Sequence, residues 1–256
     1  MRLLLPTLLL VSACKVVDAP DDFEELVVFG FTNFMDEPEL PVAAAEGLIP
    51  YAETIVDELE EGFRVDNLTY VDLVSAGVDP QDDEVDILGA SARVLMTSDP
   101  VDIAWVLTYE DMTEVQEQVM EWDVTPDGDR DCFLAQQCET YSIAGSRTTS
   151  LGMFGESTQE FSKQWRWIEL DGETLLSQRE LSPHPAEMSG NLLEMDQQYG
   201  YSLFYVTNGG TWRLDTVWVD ARMIGMDVPD TFALDQAVKA MKDNALYLDT
   251  FIAENR

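Results

Sequence analysis

The stretch YGYSLFYVTNGGTWRLDTVWVDA, residues 199–221, is the clearest structural signal in this chain. Two runs rich in aromatic and β-branched residues flank Asn208-Gly209-Gly210, which is typical of a β-hairpin. A three-residue loop would place Tyr205 opposite Arg213 and scatter the aromatic side chains. A two-residue turn gathers them on one face, and we favour that register because it buries them together. The face comprises Tyr199, Tyr201, Leu203, Tyr205, Trp212, Leu214 and Trp218.

A long amphipathic helix is predicted after this hairpin. Asp230 or Thr231 suits its N-cap, and the pattern ends near Ala253. Its apolar positions recur every three or four residues and form one stripe: Leu234, Val238, Met241, Ala245, Leu248 and Ile252. Such a stripe needs a surface to cover. We expect that surface to be the aromatic side of the hairpin.

Further strands are predicted upstream. Residues 164–170 and 174–181 flank Asp171-Gly172-Glu173, a strong hairpin signal, and Pro183-His184-Pro185 takes the chain out of the sheet. Residues 85–96 and 101–109 are predicted as two strands around a Ser98-Asp99-Pro100 turn. The pattern over residues 110–122 is ambiguous and also fits a short helix. Together these segments predict an antiparallel sheet.

Two helices are predicted before the sheet. Asp22 suits an N-cap for a helix over residues 22–34. A second helix is predicted over residues 42–61, interrupted or kinked at Pro50 and ended by Gly62. The pair either packs on the sheet, which we favour, or forms a lid or partner-docking surface.

The fold class that follows is α+β, an antiparallel sheet with two N-terminal helices and a long C-terminal helix packed on one face. Over residues 22–254 this order of elements resembles the helix-grip arrangement of the START and Bet v 1-like families. The resemblance implies a sheet that grips the C-terminal helix and leaves a cavity for lipids or other apolar ligands. The chain departs from those families by opening with helices, where they usually begin with a strand.

The N-terminus carries a separate signal. Arg2 precedes a short apolar run that ends in Val11-Ser12-Ala13-Cys14, which resembles the signal peptide and lipobox of bacterial lipoproteins. The resemblance implies cleavage before Cys14, lipidation of Cys14 and, because Lys15 follows, an outer-membrane location in the cell envelope. The implied organisation is a signal peptide (1–13), a tether (14–21) and a single domain (22–256). An ordinary secretory signal or an uncleaved anchor is the alternative.

Charge and cysteine content narrow the partners. The formal net charge is −36 at pH 7, which repels nucleic acid and anionic lipid headgroups. We therefore predict a membrane partner only through the N-terminal lipid. With Cys14 lipidated, Cys132 and Cys138 remain as a pair in an oxidising compartment. Their spacing is not Cys-x-x-Cys, so we predict a structural disulfide.

No catalytic or metal motif stands out in the sequence. His184 is the only histidine, and no Gly-x-Ser-x-Gly elbow accompanies it. The stretch 127–131 begins like a calcium loop, but Cys132 and Cys138 occupy the positions of its glycine and its bidentate glutamate. Glu53, Asp57 and Glu60 share one helical neighbourhood, as expected by chance in an acidic chain. We predict no cofactor, no metal site and no enzymatic activity.

Two functions remain, with a hydrolase built on His184 a distant third. The first is a membrane-tethered, non-catalytic lipoprotein that binds an apolar or lipid-like ligand between the sheet and the C-terminal helix. The second is a cell-envelope lipoprotein that acts through a protein partner and binds no small molecule. The ligand would contact the aromatic face, which otherwise is ordinary core. Its five aromatic side chains, Tyr199, Tyr201, Tyr205, Trp212 and Trp218, are the predicted ligand contacts and are called the aromatic face below.

Overall fold

The computed structural model describes residues 17–80, 85–225 and 230–256, so the predicted signal peptide and Cys14 lie outside the described residues. Within these ranges nine strands form one antiparallel sheet. The strands are β1 (Phe63–Thr69), β2 (Asp86–Met96), β3 (Val119–Asp127), β4 (Thr140–Ser150), β5 (Glu156–Leu170), β6 (Glu173–Ser182), β7 (Glu187–Met188), β8 (Leu193–Thr207) and β9 (Gly210–Met223). Their order is β1-β2-β9-β8-β6-β5-β4-β3, with β7 paired to β5.

Helices cover both faces of this sheet and confirm the α+β class. They are α1 (Phe23–Thr32), α2 (Glu39–Thr54), α3 (Val56–Glu61), α4 (Tyr70–Ser75), α5 (Pro100–Leu107), α6 (Arg130–Leu134) and α7 (Asp230–Asn255). The first four pack on one face, and the last three pack on the other. None of the helices in the described ranges is both long and apolar enough to cross a bilayer.

The hairpin of β8 and β9 has the register that the sequence favours. Thr207 pairs with Gly210 across a two-residue turn, which brings Tyr205 opposite Trp212. The hairpin lies in the middle of the sheet, between β2 and β6. Both of its faces are therefore covered, and the side chains that alternate with the aromatic ones are also enclosed. The β5–β6 hairpin is confirmed as well, with its turn at Asp171 and Gly172.

The aromatic face packs against the N-terminal helices. Asp22 caps α1 by accepting hydrogen bonds from two backbone amides, and α1 then lies along β8. The ring of Phe31 is 5.9 Å from that of Tyr199 and 5.3 Å from that of Trp218. The prediction that the helix pair packs on the sheet is confirmed. The expectation that the C-terminal helix covers the aromatic face is wrong, because an apolar stripe does not specify which apolar surface it meets.

The C-terminal helix α7 lies on the opposite face of the sheet. Its predicted extent is confirmed, and the described part of its apolar stripe is buried. Val238 and Met241 pack against the small side chains of β2, and Leu248 packs in a second cluster with α5. Asp249 fixes the helix to the turn after β2, where it accepts hydrogen bonds from the backbone and hydroxyl groups of Thr97 and Ser98.

The predicted strand over residues 101–109 is wrong, because this segment forms α5. Asp99 caps the helix by accepting hydrogen bonds from the amides of Val101 and Asp102, and Pro100 occupies its first turn. A capping aspartate followed by proline is a helix start. The apolar residues of this short segment fit both the period of a strand and that of a helix. Ile103 and Val106, which are both buried, are three residues apart, as on one face of a helix.

The second predicted helix is divided in two. The first part, α2, begins at Glu39 and contains Pro50; the helical path breaks at Ile55, and α3 begins at Val56. Gly62 ends α3 with a positive φ of 116°, a conformation that favours glycine. The ambiguous segment 110–122 consists of turns followed by the start of β3.

The disulfide between Cys132 and Cys138 is confirmed. It closes a small loop that begins within α6. Phe133 inside this loop is buried and stacks on Tyr141 and Trp167, with ring centroids 5.9 and 5.2 Å apart. The indole of Trp167 donates a hydrogen bond to the carbonyl of Phe133, 2.8 Å away. The cross-link thus joins the loop to the core beneath α5 and α7.

Candidate functional site

A cavity of about 300 Å³ lies between the sheet and α7. A recess of about 140 Å³ shares several of its lining residues. The lining comes from strands β3, β4, β5, β6, β8 and β9, from α7, and from the end of α5 with the segment that joins it to β3. This α7 cavity is defined by Met112, Trp122, Arg147, Lys163, Glu180, Arg213, Asp215, Val217, Met241 and Asn244.

One wall of the α7 cavity is apolar. Met112 and Leu107 contribute from the segment around the end of α5, and Met241 contributes from α7. Val217 continues this surface on β9, and Trp122 contributes to it from β3. Thioether and aliphatic side chains of this kind adapt to irregular apolar ligands.

The sheet supplies a charged floor. Arg147 on β4 and Lys163 on β5 both contact Glu180 on β6, at 2.6 and 3.0 Å. On β9, Arg213 contacts Asp215 at 2.6 Å. These five side chains are largely buried, and each one faces away from the aromatic face because strand residues alternate.

The neighbouring cations hold Glu180 ionised. Burial alone would raise the pKa of Glu180, but Arg147 and Lys163 outweigh it and lower that pKa to about 2. Burial lowers the pKa of Lys163, and the charge of Glu180 opposes that change. Glu180 is therefore a fixed negative charge at neutral pH.

Several buried N–H groups around the α7 cavity have no acceptor within the described part of the chain. They are Nε of Arg213, Nε1 of Trp122 and Nε2 of Gln159, a residue that lines the recess. Both terminal nitrogens of Arg213 have a partner, since one contacts Asp215 and the other donates to Asn244 of α7 at 2.9 Å. Unmet buried donors are rare in native proteins and call for an explanation.

Buried charges of this kind are a poor way to stabilise a fold. Removing an ion pair from water costs several kcal/mol per ion, and a well-packed apolar pair is often as stable or more so. Ionisable groups with perturbed pKa values in a cavity are, by contrast, a frequent mark of a functional site. We therefore identify the α7 cavity as the candidate binding site.

The aromatic face predicted from the sequence is buried on the other side of the sheet. Tyr199 and Trp218 are fully buried, and Tyr201 and Tyr205 are each 2% exposed. Burial raises the pKa of both Tyr201 and Tyr205 to about 12. Trp212 is half-buried, with the guanidinium of Arg93 stacked 3.6 Å above its ring. An apolar ligand on this face stays a prediction, and its cover would be α1 and not α7.

The remaining sequence candidates are dispersed. His184 lines an open surface groove of about 700 Å³ beyond the end of β6. Glu60 pairs with Arg93, and Asp129 caps α6 by accepting a hydrogen bond from the amide of Cys132. Residues 17–80, 85–225 and 230–256 contain no cluster of three or more histidine, cysteine or acidic side chains arranged to hold a metal ion. A second open groove, about 820 Å³, is lined by acidic residues of α1 and β1.

Sequence reasoning missed the charged floor altogether. The signal was present in residues 199–221, because the alternation that gathers the aromatics also places Arg213 and Asp215 together on the other face. Charged residues in a central strand point to a polar interior. Arg147, Lys163 and Glu180 meet only through pairing of β4 with β5 and of β5 with β6, which required the fold.

No family model matches the sequence, and no curated protein is detectably similar to it. A STAR-related lipid transfer protein from Xanthomonas axonopodis is similar with a TM-score of 0.45 and 10% identity, over 65% of this chain and 86% of that one. A START superfamily protein from Mycobacterium smegmatis gives 0.39 and 9%, over 66% and 99%. The aromatase/cyclase ZhuI from a Streptomyces species gives 0.39 and 12%, over 65% and 94%. At these scores the similarity extends to the arrangement of elements and no further.

Proposed function

We propose that this protein binds one small amphipathic, lipid-like molecule in the α7 cavity and does not transform it. The observation that carries the proposal is the coexistence of an apolar wall and a buried charged floor in one partly open cavity. Ligand sites are usually largely apolar with a few convergent polar groups, whereas more of this lining is polar than apolar. An amphipathic ligand matches both surfaces, which neither a hydrocarbon nor a sugar does.

The size of the α7 cavity limits the ligand. A volume of about 300 Å³ is at the small end of the range of ligand pockets, roughly 300–1,000 Å³. We therefore propose a molecule with one chain of medium length or a small ring system. A two-chain phospholipid would exceed this space.

Binding without turnover is proposed because the charged side chains of the floor are paired with one another and unsuited to proton transfer. An efficient general acid or base has a pKa near the working pH. Glu180 has a pKa of about 2 and is held by two cations, so it is a poor proton donor and a weak base. Arg147 and Lys163 are each paired with Glu180, and Arg213 is paired with Asp215, so none of the three is poised to transfer a proton. The arrangement is suited to recognition.

We further propose that the domain is tethered to a bacterial membrane, on the outside of the cytosol, through a lipid on Cys14. The motif Val11-Ser12-Ala13-Cys14 supports this, as does the disulfide between Cys132 and Cys138, since disulfides persist in oxidising compartments. Mass analysis of the protein from native cells should show the loss of residues 1–13 and an acylated Cys14. An intact N-terminus with a free thiol would overturn this part.

Native mass spectrometry after mild extraction from native cells tests the binding proposal. We expect a population carrying one small-molecule adduct. Met241→Trp, which fills the α7 cavity from α7, should abolish the adduct, whereas Leu246→Trp on the exposed side of the same helix should retain it. A ligand-free protein that crosslinks to one envelope protein would overturn the proposal in favour of a protein-interaction role.

A further inference from the structure

The charge of the α7 cavity is opposite to that of the whole protein. The chain carries a formal net charge of −36. The charged residues that line the cavity are three cations and two carboxylates, so one positive charge remains: Arg147, Lys163 and Arg213 against Glu180 and Asp215. An uncompensated buried charge is costly, and a bound anion would remove that cost.

Most of the unsatisfied hydrogen-bonding groups around the α7 cavity are donors. Among the described residues, the one unsatisfied acceptor of the lining is Oε1 of Glu180, which still contacts Arg147 at 2.6 Å as an ion pair. The three unsatisfied donors around the cavity and its recess are the N–H groups of Arg213, Trp122 and Gln159. Gln159 is oriented by Arg147, which donates to its Oε1 at 3.4 Å, so its amide N–H₂ remains to be satisfied. Each of these groups needs an acceptor.

Lys163 adds a further donor. An ammonium group has three N–H donors, and Lys163 uses one on Glu180 at 3.0 Å. Arg147 shares the same carboxylate and is stacked 4.9 Å from the ring of Phe161, which fixes its guanidinium. The cations are thus held in place before any ligand arrives, and such preorganisation favours binding.

Glu180 and Asp215 limit the charge of the ligand. The two carboxylates would repel a dianion more strongly than a monoanion. A cation would be repelled by the surplus positive charge, and it could not accept hydrogen bonds from the unsatisfied donors. A neutral hydroxyl could satisfy one donor but would leave the buried charge uncompensated. A group with one negative charge and two acceptor oxygens would neutralise the surplus positive charge, accept hydrogen bonds from the unsatisfied donors and be repelled less than a dianion.

We propose that the ligand of the α7 cavity is a monoanion of the carboxylate type, with its oxygens among Lys163, Arg213 and Trp122 and its apolar part against Met112 and Met241. This inference rests on the proposed function and adds the chemical class of the ligand. Any free or lipid-derived amphiphile with such an end group would satisfy it.

Calorimetry on the full mature chain with decanoate, 1-decanol and decylamine tests the inference without any mutation. We expect decanoate to bind at least tenfold more tightly than 1-decanol, and decylamine to bind more weakly still. Acetate should show no measurable binding, because it lacks the apolar part. Equal binding of decanoate and 1-decanol would overturn the inference and leave the proposed function standing. Binding of neither would overturn both.

The variant Lys163→Met tests whether the preference for decanoate over 1-decanol arises in the α7 cavity. This variant leaves Glu180 paired with Arg147, and we expect it to weaken decanoate binding at least tenfold while changing 1-decanol binding less than twofold. Lys239→Met makes the same charge change on the exposed side of α7 and should change neither. A preference for decanoate that survives in Lys163→Met and in Arg147→Met would overturn the site. If a variant does not fold, the comparison of ligands on the native chain still decides.

Discussion

Gly30 of α1 lies directly against the ring of Tyr201 on β8. A Cβ placed on Gly30 would be 2.8 Å from both Cζ and Oη of that tyrosine, closer than real Cβ contacts. Tyr201 is 2% exposed and has little space into which to retreat. The absence of a side chain at this position therefore sets how closely α1 approaches the sheet.

Gly30→Ala should destabilise the protein even though alanine is the better helix former. The helical gain is about 1 kcal/mol at most, whereas overpacking a core costs about 1–3 kcal/mol. We expect a net loss of roughly 1–2 kcal/mol in urea unfolding. In the background of Tyr201→Leu, the same Gly30→Ala change should become neutral or stabilising. An unchanged loss in that background would contradict the close contact.

Asp249→Asn should loosen α7 from the turn after β2. The carboxylate accepts four hydrogen bonds there, at 2.6–2.9 Å, from the amide and hydroxyl groups of Thr97 and Ser98. Burial opposes ionisation, but these bonds outweigh it and lower the pKa of Asp249. The side chain is partly exposed, so we expect a loss of roughly 1–2 kcal/mol, measured by urea unfolding.

The control for that change is Asp243→Asn, on the exposed side of α7. It removes the same charge without removing the contact to the turn. It should change the free energy of unfolding in urea by less than about 0.5 kcal/mol. Equal effects of the two substitutions would show that helix charge matters and that the contact does not.

Glu180 should contribute to stability in a pH-dependent way. Its pKa of about 2 in the folded protein is below the usual 4.5, so its contribution is present above pH 4.5 and is lost as the pH falls from 4.5 towards 2. The difference in unfolding free energy between the native chain and Glu180→Gln should therefore shrink over that range. Glu254→Gln, at an exposed position, should give a small difference that stays constant. A Glu180→Gln difference that is constant with pH would contradict the buried ion pairs.

Reducing the disulfide should weaken the fold without abolishing it. Cys132 and Cys138 are six positions apart, and closing a loop of that size stabilises by about 2 kcal/mol in the chain-entropy model. We expect Cys132→Ser/Cys138→Ser to lose about that much in urea unfolding while the near-ultraviolet circular dichroism of the stacked aromatics persists. Loss of that signal would show that the cross-link creates the loop structure instead of bracing it.

The sequence predicted the local elements better than their partners. The β8–β9 register follows from burial of aromatics, and the ends of α7 follow from its periodicity, because both signals are local. The failure at α5 was also local, since the capping role of Asp99 was overlooked. Which helix covers which face of the sheet depends on packing between residues far apart in sequence, such as Phe31 and Trp218. The periodicity of one segment contains no information about such contacts.

The candidate site could not be predicted from the sequence, because it too depends on contacts between distant residues. The residues that meet Glu180 come from strands separated by hairpins and loops, and a list of acidic residues in so acidic a chain does not mark it out. Only its burial between Arg147 and Lys163 does so. The resemblance to helix-grip proteins indicated a cavity by the C-terminal helix, but it did not predict that the floor would be charged.

The most direct test of the account is heavy-atom quenching of tryptophan fluorescence by 2-bromodecanoate, whose bromine lies next to the carboxylate and therefore next to Trp122 in the proposed pose. Trp122 lines the α7 cavity, whereas Trp212 lies on the aromatic face. If the ligand binds between the sheet and α7, saturable quenching occurs in the native chain, is largely lost in Trp122→Phe and is retained in Trp212→Phe. Quenching that survives in Trp122→Phe and disappears in Trp212→Phe would contradict the account and place the ligand on the aromatic face.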